Sequence, residues 1–113
     1  IMIEIKINIE EHLLTKEVAA FTNQSIECIE LYAKKNHDYG DSFSKGCDVI
    51  GDAYAIGRLY DKMNRLITLS KTNNEVKDES IEDTLRDLAC YSLMYLAYLD
   101  NKRTANIPDV EFE

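Results

Sequence analysis

Six apolar residues, Val49, Ala53, Ile56, Tyr60, Met63 and Ile67, recur at i, i+4, i+7, i+11, i+14 and i+18. A helix turns by ~100° per residue and brings such positions onto one face. The register predicts an amphipathic helix over 47–71, buried along that stripe and ended by Thr72-Asn73-Asn74. Gly51 and Gly57 fall inside it, which points to close approach of a neighbouring helix or a ligand. A helix this long in a chain of 113 residues leaves the rest to supply its packing partners.

Val18, Phe21, Ile29, Tyr32 and Ala33 mark a second helix over 15–36, with Thr15 as its N-cap. His37 to Lys45 contains Gly40 among Asp, Ser and Asn and reads as a loop. Ile81, Leu85, Leu88, Ser92, Leu96 and Leu99 mark a helix over 79–100, followed by a tail over 101–113. Isoleucine stands at every odd position from 1 to 9, a period of two that predicts a short N-terminal β-strand. Asp109-Val110-Glu111-Phe112-Glu113 alternates too, and could pair with it within the chain or across a dimer. The expected fold is mainly α, a bundle of three to four helices plus the short strand, forming a single domain over 1–113. Its core is thin, so a homodimer or homotetramer is expected.

Composition narrows the function. The content is 45% hydrophobic and 30% charged, typical of a folded domain. No apolar run approaches the ~20 residues of a membrane span, and the first residues lack the features of a signal peptide, so a cytoplasmic protein is expected. Cys28, Cys47 and Cys90 lie far apart, which suits reduced thiols. With only His12 and His37 beside them, they do not supply a zinc site. A net charge of −8 repels polyanions, so nucleic acid is not the expected main partner.

The candidate chemistry lies in the charged segments. Glu79, Asp83 and Asp87 form one row on the last helix, and the row continues as Cys90, Met94 and Ala97. Past residue 88 this helix is apolar almost all round, so the row should face a second layer with the acids at its mouth. A solvated acidic face, with Ser80-x-x-Asp83 as a capping box, is the structural alternative. On the preceding helix Asp61 lies between Arg58 and Arg65, beside Lys62. This is either an i, i+4 ion-pair ladder or a carboxylate for a metal flanked by cations for phosphates. Oxygen ligands without His or Cys suit Mg²⁺ or Mn²⁺, which take substrate phosphates as further ligands. In the loop, Asp38 and Tyr39 form either a simple turn or a contact to a base, with Lys34 or Lys35 near a phosphate.

Three motifs in order carry a resemblance. They are Lys-x-x-Asp-Tyr-Gly-x-Ser-Phe at 35–43, Arg-x-x-Asp-Lys-x-x-Arg-Leu at 58–66, and Glu-Ser-x-x-Asp-Thr-Leu-x-Asp-Leu-Ala-x-Tyr at 79–91. The chain resembles the nucleotide modification-associated domain 1 family, small proteins of phages, prophages and bacteria, over about residues 25 to 100. More loosely it is similar to the all-alpha NTP pyrophosphatases, the MazG-like and dimeric dUTPase-like enzymes. Those bundles hold Mg²⁺ on acids of two helices and cut between the α- and β-phosphates. Asp87 resembles the last acid of their second motif, whereas Asp83 stands four residues before it rather than three. Asp61 is the one acid of the preceding motif, with Arg58 where another is expected.

These readings imply an Mg²⁺-dependent nucleotide-binding protein like a nucleoside triphosphate pyrophosphohydrolase, acting in phage nucleotide metabolism. Asp61, Glu79, Asp83 and Asp87 are the candidate metal ligands, and Asp61, Asp83 and Asp87 the candidate catalytic acids. Lys35, Asp38, Tyr39, Arg58, Lys62 and Arg65 are the candidate substrate contacts. The alternatives are a phage protein that captures a nucleotide or second messenger without turnover, and an acidic inhibitor that mimics DNA.

Overall fold

The computed structural model describes residues 1–39, 41–71 and 77–104, the side chains of Tyr39 and of 77–80 excepted. After a 3-10 turn at Glu11–Leu13 come helices α1 (Lys16–Tyr39), α2 (Ser42–Ile50), α3 (Asp52–Lys71) and α4 (Lys77–Thr104). The fold is mainly helical, with four α-helices and no strand among the described residues. No described helix is long and apolar enough to cross a membrane.

Helix α1 begins where its cap predicts. The Val18 N–H donates to Thr15 Oγ1 at 3.2 Å, satisfying one of the donors a helix start leaves unpaired. The helix continues through His37 and Asp38, so the expected loop over 37–45 shrinks to the junction before Ser42. Asp41 turns the chain there in the left-handed region (φ 59°, ψ 38°), which Asp tolerates better than most residues.

The single helix expected over 47–71 is two helices. Gly51 breaks it at φ 91° and ψ −167°, a conformation that is essentially glycine's own. Its N–H still donates to the Cys47 carbonyl at 2.8 Å, and its carbonyl accepts from Tyr54 N–H at 3.0 Å. One helix end and the next helix start therefore share a single residue. The bend folds α2 back on α3, so closely that a Cβ on Gly46 would lie 2.5 Å from the Tyr54 ring. Close approach was expected at Gly51 and Gly57; the structure places it at Gly46, and a Cβ on Gly57 would meet nothing within 4 Å.

The main packed pair is α3 against α4, with α2 on α3 and α1 leaning on α4. Phe43, Cys47 and Ala55 are buried together, ringed by Tyr54, Tyr91, Met94, Tyr95 and Tyr98. One of these tyrosines, Tyr98, bonds to an acid of the α2–α3 corner, donating to Asp48 Oδ1 at 2.7 Å. Arg86 of α4 ties α1 to α4 through Glu27 at 3.4 Å.

Which faces are buried differs from expectation. The α3 stripe expected inside is exposed, at 55% for Ile56, 69% for Tyr60, 45% for Met63 and 46% for Ile67. The opposing side of α3 packs instead, through Ala55, Arg58, Leu59, Lys62 and Leu66. A small residue lets the helices approach, and long cationic stems cover apolar surface while their charged ends reach a cavity. On α4, Leu85 and Leu96 of the expected stripe are exposed. Asp87, Cys90 and Met94 turn inward, as the second-layer reading predicts, while Asp83 and Ala97 of that row stay exposed.

Residues 1–9 form no strand, and their isoleucines are exposed. A strand requires a ladder to satisfy its backbone, and the described helices present no sheet edge for one. The second strand proposed over 109–113 lies outside the described residues.

Candidate functional site

Helices α1, α3 and α4, with the start of α2, enclose a cavity of about 300 Å³. That is at the lower end of small-molecule sites, roughly 300–1,000 Å³. Lys35 and Tyr32 enter it from α1, Asp41 and Phe43 from the junction and α2, Tyr54, Arg58 and Lys62 from α3, and Asp87, Cys90, Tyr91 and Met94 from α4. Helical spacing explains the alignment. Tyr54, Arg58 and Lys62 follow one another at i, i+4 on α3, while Asp87, Tyr91 and Met94 follow at i, i+4, i+7 on α4.

Lys62 Nζ lies 3.0 Å from Asp87 Oδ2 across the two helices. One turn earlier, Arg58 Nη2 donates to the Tyr91 hydroxyl at 3.0 Å. The Arg58 guanidinium carbon sits 5.3 Å and the Lys62 ammonium 5.9 Å from the centre of the Tyr91 ring, within cation–π range. Phe43 packs tilted against both Tyr54 and Tyr91, with ring centres 5.8 Å and 5.9 Å apart. The cations therefore stand against an aromatic wall that holds their stems in place.

Charge distinguishes this cavity from the rest of the molecule. Three cations, Lys35, Arg58 and Lys62, face two carboxylates, Asp41 and Asp87, so the lining is net positive by one in a chain of net charge −8. The hydrogen bond to Tyr91 pushes Arg58 further above its already high value, so it is a permanent cation. Its Nε is buried and has no hydrogen-bond partner. Such an orphan donor is unfavourable by about 1–3 kcal/mol.

Burial, then the neighbouring Cys28, pushes the Cys90 thiol up to about 11, with Asp87 adding to the shift and Lys35 opposing it. At neutral pH the sulfur is a thiol and not a nucleophilic thiolate. Burial, and secondly Asp41, raises the Tyr32 hydroxyl, which stays neutral and available as a hydrogen-bond donor.

Of the predicted site residues, the structure brings Lys35, Arg58, Lys62 and Asp87 together. Asp61 lies instead on a shallow concavity of the α2–α3 surface, beside Ile56 and Tyr60. Asp83 is exposed and pairs with Arg86 at 3.5 Å. Arg65 and Asp38 are exposed and do not line the cavity. The side chains of Tyr39 and Glu79 lie outside those described. Among the described residues no three His, Cys, Asp or Glu side chains converge as a metal cage. Asp87, with Asp41 on the same lining, is the carboxylate available to an ion that draws its other ligands from phosphate and water.

Sequence reasoning missed Tyr32, Asp41, Phe43, Tyr54 and Tyr91. Tyr54 and Tyr91 were detectable in principle, each four residues from a charged site residue on its own helix.

No curated protein and no solved structure matches the chain. The model of the Nucleotide modification associated domain 1 family matches residues 35–99, more than half of the 113, from the first cavity cation to beyond the last helix's cavity residues. The chain belongs to that family.

Proposed function

We propose that the cavity binds the phosphates of a nucleotide through Lys35, Arg58 and Lys62, with its apolar part against Tyr32, Phe43 and Tyr54. The observation that carries this is the local reversal of charge, three cations converging on one cavity of a strongly acidic protein. A phosphate oxygen near Arg58 would also satisfy the orphaned Nε. Membership of a family described by nucleotide modification supports the same substrate class.

A pyrophosphohydrolase of the MazG-like kind is the catalytic form of this reading. Mg²⁺, or Mn²⁺, would enter with the nucleotide, held by Asp87 and by the substrate's own phosphates, and would supply Lewis-acid polarisation. The chain's residues would orient the phosphates, and the tyrosine-lined wall would shield them from bulk solvent while leaving room for the one water that hydrolysis consumes. Asp61 and Asp83 lie away from the cavity, so Asp87 carries the acid's role in this reading.

Capture without turnover is the second reading, and one observation favours it. Asp87 is engaged with Lys62, and of the predicted acids with described side chains it is the one lining the cavity. A DNA mimic fits less well, because its surface would need no cationic cavity. Either nucleotide reading suits a protein of the cytoplasm, of the host cell if phage-encoded.

Calorimetric titration with a panel of ribo- and deoxyribonucleotides, with and without Mg²⁺, tests the proposal. Each cell is then analysed by chromatography. Binding with release of monophosphate and pyrophosphate supports the enzyme, and binding of an unchanged nucleotide supports capture. No binding by any member of the panel ends both readings.

A further inference from the structure

We propose that Asp41 reads the nucleoside half of the ligand, selecting nucleotides that present two adjacent hydrogen-bond donors to its carboxylate. This rests on the phosphate reading above and extends it to the other end of the cavity. Such donor pairs occur on the N–H edge of guanine and on the cis-diol of ribose.

The cavity has two unlike ends. Tyr54 and Lys62 both line it, and eight residues separate their positions on α3, about 12 Å along the helix axis. The Lys62–Asp87 pair marks one end. Phe43 marks the other, packed on Tyr54, with Ser42 and Asp41 just before it on the same lining. Phosphates held by the cations therefore leave the nucleoside to lie along the aromatic wall, toward Asp41.

Asp41 carries a carboxylate that the fold does not use. It occupies the position before α2 and makes no side-chain cap bond. Among the described residues it forms no ion pair, whereas Asp87 is engaged with Lys62. Its left-handed backbone would suit Asn or Gly as well, so the turn does not require an acid. Left idle, a negative charge in this cavity would only oppose the ligand's phosphates. An ionised carboxylate accepts and never donates, and its two oxygens match two neighbouring donors. A ligand that turns an acceptor toward it is disfavoured, which is the basis of selection.

Calorimetric titration of the full chain with GTP, ITP, ATP, dGTP and dATP tests this, with and without Mg²⁺, in the wild type and in Asp41→Asn. Asn keeps the left-handed turn, and circular dichroism checks the fold. The wild type should discriminate by about tenfold. GTP and dGTP bind above ITP and ATP if the guanine edge is read, and GTP and ATP above dGTP and dATP if the ribose diol is read. Asp41→Asn should abolish that preference in both conditions by weakening the favoured ligands. Equal affinity across the panel in the wild type overturns the proposal and leaves the phosphate reading standing. So does an Asp41→Asn variant that keeps the preference, that tightens every nucleotide alike, as relief of simple repulsion would, or that loses affinity only with Mg²⁺, as a metal ligand would. No binding of any nucleotide by the wild type overturns both readings.

Discussion

Lys62 and Asp87 are joined at 3.0 Å across α3 and α4, with a quarter to a third of each side chain exposed. The pair sits in the wall of the cavity and at the main helix–helix contact, so it bears on stability and binding together. A pair this wet lies between the surface limit of about 0–1 kcal/mol and the 3–5 kcal/mol of a fully buried pair broken on one side. Lys62→Met should cost about 1–2 kcal/mol in urea unfolding, because it leaves Asp87 unpaired. Adding Asp87→Leu should return part of that stability and none of the nucleotide affinity.

Tyr91→Phe tests how Arg58 is held. The ring remains, so the cation–π and Phe43 contacts persist while the acceptor for Nη2 is lost. Stability should fall by about 0.5–1.5 kcal/mol, the usual value of one hydrogen bond. Thermal unfolding without ligand measures this. Arg58→Lys keeps the charge but not the planar fork, and should weaken triphosphate binding about tenfold.

Cys90 gives a pH-dependent signature. Its thiol is raised from 9.0 to about 11, so the folded protein holds that proton more tightly than the unfolded chain. The unfolded state then binds fewer protons between pH 9 and about 11, and this contribution to stability is lost as pH rises through that window. Alkylation of Cys90, followed by peptide mass spectrometry, should show a midpoint near 11 in the native protein and near 9 in urea.

Gly46→Ala should disturb the α2–α3 corner. The new Cβ would lie 2.5 Å from the Tyr54 ring, and Tyr54 also packs on Phe43 and lines the cavity. A loss of about 1–3 kcal/mol is expected from such overpacking, read as a lowered unfolding midpoint. Gly51→Ala meets no atom within 4 Å but must hold φ at 91°. It should also destabilise, by backbone strain of about 1–3 kcal/mol.

The parts of the structure legible in the sequence are those set by local chemistry. Thr15 caps α1 because its hydroxyl reaches Val18 within the same turn. The inward turn of Asp87, Cys90 and Met94 was readable because α4 stays apolar past residue 88. Arg58, Lys62 and Lys35 were visible as cations in ordered motifs. What was not legible depends on partners distant in the chain. Apolarity and register point to the α3 stripe as the buried face, yet Ala55 is the residue buried there, and Arg58 and Lys62 make the contacts to Tyr91 and Asp87 of α4. Periodicity does not distinguish a glycine that a helix tolerates from one that ends it, and at Gly51 the backbone dihedral decides. Alternating isoleucines specify a strand only where another strand is at hand. Asp61 and Asp83 looked like members of one acidic set with Asp87, but helix rotation places them on other surfaces.

The central claim is that the cavity reads phosphate. The most direct test is the affinity of the mono-, di- and triphosphate of one nucleoside for the wild type and for Arg58→Ala/Lys62→Met. The wild type should bind in the order triphosphate, diphosphate, monophosphate, with about a tenfold gain per added phosphate from each new charge-assisted contact. In the double variant, with its fold checked by circular dichroism, that ladder should flatten. Equal affinity for the three ligands in the wild type, or a ladder unchanged in the double variant, would contradict the account.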